Sequence, residues 1–291
     1  MLDNEEPQNM KDLSKLIICI PTDKRENPAI LSLIRYSENL NFYLCVRRSE
    51  YESGYYDKPQ FKMPNLRFML LDEPKCIGET REQILQKSIK AGYKYCFMID
   101  DTQFGLHDTS NRISTLKTIL SNCIERFETD KYKNKAFAFI FSRKSFTNTP
   151  KKCKTYFLSQ LCQTYIINLD IVQKYDLHFK PMNVVGVEDL TFYYEAAMKG
   201  LVALSDTRFI RIGLMPSVKK TGGCHVGNEK KSEKDVQNER FTILLDYYNK
   251  QNYTEPFIKR VDSVLYPGTF YYKFDTKYAK HKLIQNPDDF D

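Results

Sequence analysis

The sequence has no apolar run approaching the ~20 residues that a membrane-spanning helix needs. Its first residues, MLDNEEPQNMKDLSK, are acidic and polar, whereas a secretory signal starts with basic residues and continues into an apolar stretch. Hydrophobic residues still make up 42% of the 291 residues, which is enough for a folded core. We therefore expect a folded protein of the cytoplasm that does not associate with membranes.

No two cysteines have the CxxC spacing of a zinc site, although the chain contains eight cysteines. Cys19, Cys45 and Cys96 each lie inside an apolar run, where a free thiol packs as a small hydrophobic side chain. Unpaired structural thiols are typical of a reducing compartment. The cysteines therefore agree with a cytoplasmic location.

The chain also lacks internal repeats and has no Pro- or Ser-rich linker that would separate domains. Short apolar runs instead alternate with stretches of helical spacing, and we predict buried strands at LIICI (16–20), FYLCV (42–46), RFMLL (67–71) and YCFMI (95–99). This rhythm predicts an α/β fold with a mainly parallel twisted sheet and helices on both of its faces.

Composition shifts divide the chain into a short tail, one α/β domain and an extension rich in Tyr and Lys. The predicted units are a tail at 1–14, a domain at 15–235 with halves at 15–110 and 111–235 and a mobile loop at 217–235, and a C-terminal helix and basic, aromatic extension at 236–291.

Two adjacent carboxylates, Asp100 and Asp101, follow the predicted strand at 95–99. Ligands of open α/β sheets bind beyond the carboxyl ends of the strands. Two close carboxylates repel each other unless one is protonated or a cation lies between them and a phosphate. Mg²⁺ and Mn²⁺ suit this arrangement, with one or two carboxylates plus phosphate oxygens and water. The alternative is that Asp100 caps the following turn and Asp101 is solvated.

A second acidic pair, Glu188 and Asp189, opens the predicted helix GVEDLTFYYEAAMKG. Acids in a first helical turn are favoured by the helix dipole, so a structural role alone would explain them. The functional interpretation is a carboxylate that accepts a proton from a substrate hydroxyl or hydrogen-bonds it.

Arg81 begins a predicted helix shortly before the aspartate pair, in CIGETREQIL. A guanidinium there is suited to a bidentate contact with a phosphate, or to orienting Asp100. The alternative is an ordinary surface arginine in a salt bridge.

The glycines and lysines of KKTGGCHVGNEKKSEK (219–234) predict a mobile, solvated loop. Within it, His225 has the chemistry to complete a metal shell, and Lys219 and Lys220 have the charge to screen a diphosphate. A surface loop that merely carries a histidine is the alternative.

Positive charge is concentrated in residues 130–154, where eight basic residues face the single acid Asp130. That excess equals the net charge of +7 of the whole chain, so the rest of the sequence is neutral overall. A localised basic segment attracts a polyanion. The alternative is a solvated loop beside a strand.

Taken in order, IPTDKREN, GETREQIL, FMIDDTQFG, GVEDLTFYYEAAMKG and GGCH resemble the GT-A class of nucleotide-sugar glycosyltransferases, over roughly residues 15 to 228. Within that class the sequence looks most like phage enzymes that glycosylate hydroxymethylated bases in DNA. The resemblance makes 15–110 the donor half of the domain and 111–235 the acceptor half.

The resemblance implies roles for the matching residues. Asp101 would contact a divalent metal, Mn²⁺ or Mg²⁺, on the donor diphosphate, with Asp100 near the ribose or the metal's waters, and His225 would complete the metal shell. Thr102 stands where many relatives carry a further acid. The other implied residues are Pro21, Thr22 and Arg25 for the base and ribose, Arg81, Lys219 and Lys220 for the donor, and Glu188 and Asp189 facing the acceptor.

The sequence therefore predicts a metal-dependent hexosyl- or pentosyltransferase that uses a nucleotide sugar, with a UDP-sugar as the first expectation. Asp189 would be the base if the reaction inverts configuration, and Glu188 or Asp189 would instead stabilise an oxocarbenium-like state if the reaction retains it. The expected acceptor is 5-hydroxymethylcytosine, or an already glycosylated form of it, in double-stranded phage DNA. Alternatives are a cell-surface polysaccharide or lipopolysaccharide acceptor, or a non-enzymatic nucleic-acid-binding protein. A nucleotidyltransferase is a further alternative, but the chain lacks a clear Gly-rich triphosphate loop.

Overall fold

The computed structural model describes residues 13–37, 39–109, 114–143, 153–156, 164–181 and 187–213, and beyond these only short pieces of helix and one hairpin. The strands of the main sheet are β1 (Leu16–Pro21), β2 (Phe42–Arg47), β3 (Leu66–Leu71), β4 (Tyr95–Ile99), β5 (Gln103–Asp108), β6 (Ala136–Arg143), β7 (Cys153–Tyr156), β8 (Thr164–Asn168) and β9 (Val202–Gly213). The helices are α1 (Ile30–Arg35), α2 (Arg48–Glu52), α3 (Ile77–Lys90), α4 (Leu116–Glu128), α5 (Leu169–Lys174) and α6 (Val187–Met198). A separate antiparallel hairpin, β10 (Ile258–Asp262) with β11 (Phe270–Phe274), lies in the predicted C-terminal extension.

The main sheet has the order β3-β2-β1-β4-β8-β6-β9-β5, with β7 paired to β9. Strands β1 to β4 are parallel, β8 runs antiparallel to both of its neighbours, and β9 is parallel to β6. Strands β5 and β7 are antiparallel to β9. Six of the nine described strands of this sheet therefore run in one direction, and the predicted mainly parallel α/β sheet is confirmed.

Apolar side chains cover both faces of the sheet. On β1, Ile18 and Ile20 join the core cluster that includes the buried faces of α1 and α4. Ile17 and Cys19 point to the other cluster, which takes its apolar residues from α3, α5 and α6. Burying one such aliphatic side chain contributes about 1.5–3 kcal/mol, so a strand that is apolar at every position is stable only in this middle layer.

The thiols of Cys19, Cys45 and Cys96 are free and fully buried against α3, as the apolar runs around them predict. Burial raises the pKa of the Cys19 and Cys96 thiols well above its usual range. These thiols therefore stay protonated and serve as packing groups.

The structure places the basic residues of segment 130–154 at opposite ends of strand β6. Lys131, Lys133 and Lys135 precede β6. Because β6 runs in the direction of β4, these lysines lie at the end of the strands that is opposite Asp100. Arg143 ends β6 at the same edge as the aspartates. Eight residues of strand separate the two groups, a distance of about 25 Å.

Among the described residues, no helix combines the length and the apolar character that crossing a bilayer requires.

Candidate active site at the carboxyl end of the sheet

Asp101 closes the turn after β4 and is tied to the turn after β1. One of its carboxylate oxygens, Oδ2, accepts hydrogen bonds from Thr22 Oγ1 at 2.7 Å and Arg25 Nε at 2.9 Å. Burial raises the pKa of Asp101, and the charge of Arg25 and the hydroxyl of Thr22 oppose that rise. We call Thr22, Arg25 and Asp101 the Asp101 group; Pro21 is the last residue of β1 just before it.

A second group forms around the buried guanidinium of Arg81 on α3. Its Nη1 donates to Glu188 Oε1 at 2.8 Å and also to Asp189 Oδ1, and its Nη2 donates to Asp100 Oδ1 at 3.4 Å. One arginine thus joins the aspartate after β4 to both acids that open α6. We call Arg81, Asp100, Glu188 and Asp189 the Arg81 cluster. Arg81 is not the surface arginine of the alternative interpretation.

A glycine brings α3 close enough to α6 for this contact. A Cβ atom at Gly78 would lie 2.0 Å from the backbone oxygen of Lys180 and 3.4 Å from Glu188 Cβ. Arg81 stands three residues further along the helix, on the same face as Gly78. The absence of a side chain at Gly78 therefore sets the distance between Arg81 and the acids of α6.

Aromatic rings wall the Arg81 cluster. The guanidinium carbon lies 5.7 Å from the centre of the Tyr165 ring and 6.0 Å from that of Phe179, distances at which cations interact with ring faces. Phe179 stacks in turn on Phe192 of α6 at 4.1 Å. The Tyr165 hydroxyl donates to Asp189 Oδ1 at 3.4 Å. These walls exclude water and so strengthen the attraction between arginine and carboxylates.

The carboxylates of the cluster differ in exposure. The Asp100 side chain is 24% exposed, whereas that of Asp189 is 7% exposed. Burial, reinforced by the charges of Asp189 and Asp101, raises the pKa of Asp100 to about 6, although Arg81 and Arg211 oppose the shift. Burial also raises the pKa of Asp189, against the same two arginines and the Tyr165 hydroxyl. Asp100 is therefore the acid of the cluster that a ligand reaches most readily.

The aspartate pair fits a divalent cation only together with a phosphate ligand. Within the described part of the chain, no three His, Cys, Asp or Glu side chains come together as a metal site. Asp100 Oδ2 and Asp101 Oδ1 make no hydrogen bond to described residues, so each carboxylate keeps one free oxygen. Mg²⁺ and Mn²⁺ are often held by one or two carboxylates with substrate phosphates and water, a donor set that these two oxygens match.

Three predicted site residues, Lys219, Lys220 and His225, lie outside the described residues. Strand β9, which precedes them in the chain, ends at Gly213, opposite Gln103. Gln103 N in turn donates to Asp100 O at 3.0 Å. The last described residue before the predicted loop thus lies beside the aspartate pair.

The sequence reasoning missed a polar group at the ends of β1 and β2. Arg47 Nη1 donates to Asp23 Oδ1 and to Glu50 Oε1, both at 3.2 Å, and the Tyr56 hydroxyl donates to Glu50 Oε2 at 3.1 Å. Burial raises the pKa of Glu50. A signal was present, because Arg47 directly follows the apolar run FYLCV (42–46) just as Asp100 follows YCFMI. The buried Arg211 on β9 was missed as well, since nothing in its local sequence separates it from other strand arginines.

No protein-family model matches this chain, and a search of curated protein sequences finds no match. Solved structures do resemble it. Residues 1–349 of S. aureus TarS in complex with UDP-GlcNAc superpose with a TM-score of 0.47 at 13% identity, covering 83% of this chain and 73% of that one. GalNAc-T7 with UDP, GalNAc and Mn²⁺ gives a TM-score of 0.46 at 10% identity, covering 83% of this chain and 52% of that one.

A third similar structure is 4-diphosphocytidyl-2C-methyl-D-erythritol synthase, with a TM-score of 0.39 at 12% identity, covering 78% of this chain and 99% of that one. This chain spans 59% of another structure of TarS 1–349 and 43% of a longer TarS structure. All of these are similarities of fold.

Proposed function

We propose that this protein is a glycosyltransferase that moves a sugar from a nucleotide-sugar donor to a hydroxyl acceptor. The observation that supports the proposal is that the two aspartates after β4 bind different partners. Asp101 belongs to the turn after β1, and Asp100 belongs with Arg81 and the acids that open α6. A donor bound along the β1 turn would therefore place its diphosphate at the aspartates and its sugar toward α6.

The donor would lie against Pro21, Thr22 and Arg25, with a UDP-sugar as the proposed ligand. A divalent cation, Mn²⁺ or Mg²⁺, held by Asp100 and Asp101 together with donor phosphates, would supply charge neutralisation for the departing diphosphate. Lys219 and Lys220 would add positive charge near the same phosphates, and His225 is the proposed further metal ligand.

The acceptor hydroxyl must lose a proton as its oxygen attacks the anomeric carbon, and Asp189 is the proposed base. Its Oδ1 is held by Arg81 and Tyr165, whereas its Oδ2 makes no hydrogen bond within the described residues. This geometry leaves Oδ2 to accept the proton if the reaction inverts configuration. Glu188, which is buried and held by the same arginine, fixes the start of α6 beside it.

For the acceptor we propose 5-hydroxymethylcytosine, or an already glycosylated form of it, in double-stranded DNA, as expected of a phage enzyme in the host cytoplasm. The support is the basic segment at 130–154, which carries a charge excess equal to that of the whole chain. Of this segment, Arg143 ends β6 at the edge of the sheet that carries the aspartates, whereas Lys131, Lys133 and Lys135 lie at the other edge. The proposed phosphate contacts therefore begin at Arg143.

The test is a panel of nucleotide sugars with Mn²⁺, assayed for release of the nucleoside diphosphate with hydroxymethylated duplex DNA, unmodified duplex or a saccharide acceptor. We expect release and sugar transfer with the modified duplex, and loss of both in Asp100→Asn and Asp101→Asn. Transfer to the saccharide alone would replace the DNA acceptor with a glycan.

Donor binding is checked separately from turnover. A nucleotide sugar at one hundred times its Kd adds about 2.7 kcal/mol of stability, which thermal unfolding resolves. A melting temperature unchanged by every nucleotide sugar, combined with binding to DNA, would refute the transferase and favour a nucleic-acid-binding protein.

A further inference from the structure

Two exposed hydrophobic residues lie on neighbouring strands at the edge of this site. Among the described residues, the large hydrophobic side chains that are exposed are Tyr36, Tyr51, Phe104 and Ile212. Phe104 is 42% exposed and Ile212 is 43% exposed. They are neighbours across paired strands, because Gly105 of β5 is the register partner of Ile212 on β9. Isolated exposed apolar residues are ordinary, but an adjacent aromatic and aliphatic pair beside a polar site calls for a reason.

A β-bulge directs the Phe104 side chain. Gln103 pairs with Gly213 and Gly105 pairs with Ile212, so two steps along β5 match one step along β9. Phe104 is the extra residue of β5. Bulges of this kind occur beside active sites, where they re-aim a side chain away from the regular alternation of the strand.

The residues on either side of Phe104 fix the bulge. Gln103 is buried and packs so closely on Gly213 that a Cβ there would lie 2.4 Å from Gln103 Oε1. Gly105 has a φ of +156°, and a Cβ at this position would lie 3.3 Å from Leu33 Cδ1. The backbone at Phe104 is therefore fixed by close packing on both sides.

The position of this pair favours the acceptor over the donor. Phe104 follows Asp101 by three residues, so the ring lies at the rim of the aspartate turn. In the sheet order, β9, which carries Ile212, is separated from β1 by β4, β8 and β6, and Arg211 beside Ile212 is the register partner of Arg143 on β6. The Asp101 group ties the proposed nucleotide site to the β1 side. A second substrate that approaches the aspartates from the β9 side meets Phe104 and Ile212.

We infer that Phe104 and Ile212 form an acceptor-binding platform, on which the pyrimidine ring that carries the receiving hydroxymethyl group, flipped out of the duplex, stacks against the exposed aromatic side chain. This inference rests on the proposed function and names the substrate contact of the same site. A ring face accepts any base by stacking and gives affinity without sequence readout. The neighbouring isoleucine widens the apolar floor, and the duplex backbone stays free to contact the basic residues from Arg143 onward.

The experiment separates acceptor binding from donor chemistry. Two reactions are measured for each variant: sugar transfer to a hydroxymethylated duplex, and the slow hydrolysis of the nucleotide sugar by water, which needs only the donor site. For Phe104→Ala we expect the KM for the duplex to rise about tenfold or more, the loss of one stacking contact, with donor hydrolysis unchanged. Phe104→Tyr keeps a stacking ring and should restore the KM.

The matched control is Tyr36→Ala, which removes another exposed aromatic ring, at the end of α1, and should leave both reactions unchanged. Ile212→Ala should raise the KM for the duplex by a smaller factor than Phe104→Ala. Fluorescence of a duplex with a fluorescent pyrimidine at the target position gives a second readout, since stacking on the ring quenches it. Quenching by the wild-type protein that is lost in Phe104→Ala would support the platform.

An unchanged KM for the duplex in Phe104→Ala would overturn the inference. An equal loss of donor hydrolysis would also overturn it, because Phe104 would then belong to the donor site. Transfer to a saccharide in place of DNA would overturn base stacking while leaving the glycosyltransferase intact. A wild-type protein that neither binds nor hydrolyses any nucleotide sugar would refute the proposed function itself.

Discussion

Asp100 and Asp101 are adjacent in the sequence, yet they belong to two regions with different electrostatics. In the Asp101 group one carboxylate faces one arginine and one hydroxyl, so the charges balance. In the Arg81 cluster one buried arginine is shared by three carboxylates, and the charge of Arg211 also acts on two of them, Asp100 and Asp189. Water screens little of these charges on the side of the cluster that aromatic side chains cover.

The comparison shows which region is complete without a ligand. In the Asp101 group the carboxylate and the guanidinium of Arg25 neutralise each other, and their ion pair connects the ends of β1 and β4. In the Arg81 cluster, burial and the charges of Asp189 and Asp101 raise the pKa of Asp100 to about 6, so a proton or a bound cation would stabilise this carboxylate. A diphosphate carrying a divalent cation would therefore stabilise the Arg81 cluster more than the Asp101 group.

The largest effect should come from removing the shared arginine. We expect Arg81→Met to lower the free energy of unfolding by about 3–5 kcal/mol, because it removes the buried arginine that three carboxylates share. The control is Arg25→Met, whose arginine is more exposed and pairs with a single acid; it should cost about 1 kcal/mol. Urea unfolding measures both values. Equal costs for the two variants would show that the two regions do not differ as described.

A series of stability measurements at different pH values should test the electrostatics of the Arg81 cluster through Asp100. A folded-state pKa of about 6, above the unfolded value of about 3.9, means that the folded state holds the proton more tightly between these values. The contribution of Asp100 to the free energy of unfolding therefore falls as the pH rises from 4 to 6, and Asp100→Asn removes that fall. Relative to wild type, the free energy of unfolding of the variant should rise by up to about 3 kcal/mol between pH 4 and pH 7.

This series is measured by urea unfolding in metal-free buffer. Asp130→Asn gives a control of opposite sign, because Lys133 lowers the pKa of this exposed acid and its stabilising effect is lost as the pH falls. A variant-to-wild-type difference for Asp100→Asn that stays constant from pH 4 to pH 7 would contradict the raised pKa.

A smaller effect should follow from pushing α3 away from α6. A Cβ at Gly78 would collide with the backbone of Lys180, so Gly78→Ala should cost about 1–3 kcal/mol and reduce sugar transfer by displacing Arg81. Gly92→Ala, just beyond the end of the same helix, meets no neighbouring atom but must adopt a φ of +79°, at a cost of about 1 kcal/mol. This control should retain full transfer activity. Equal activity in the two variants would show that the distance between α3 and α6 does not affect the site.

The central strands were predictable because each is apolar along its length and buried on both faces. The YCFMI run of β4 is entirely buried, and its predicted bounds match the structure. Strand β5 was not predicted, because a bulge, a glycine and the exposed residues Phe104 and His107 break the apolar pattern of a strand at the end of the sheet. Edge strands carry a weaker signal, since only one neighbour and part of one face constrain their residues.

The candidate site was predictable as a set of residues but not as two groups. Asp100, Arg81, Glu188 and Asp189 were each singled out from strand ends and helix starts, and the structure brings them together. The sequence analysis included a contact between Arg81 and Asp100, which the structure shows, but it did not reveal that Asp101 turns away toward Arg25. Side-chain direction at the end of a strand depends on the turn that follows and on packing from distant elements, here the close approach of α3 and α6.

The strand order has a consequence for how the protein is made. Strands β1 to β4 pair with one another soon after they leave the ribosome, because their partners lie within the first 99 residues. Strand β5 follows next in the chain, yet its strand partner β9 begins only at Val202. Phe104 on β5 therefore reaches its final place only after about a hundred further residues are synthesised, since pairing of distant strands must wait for both to exist.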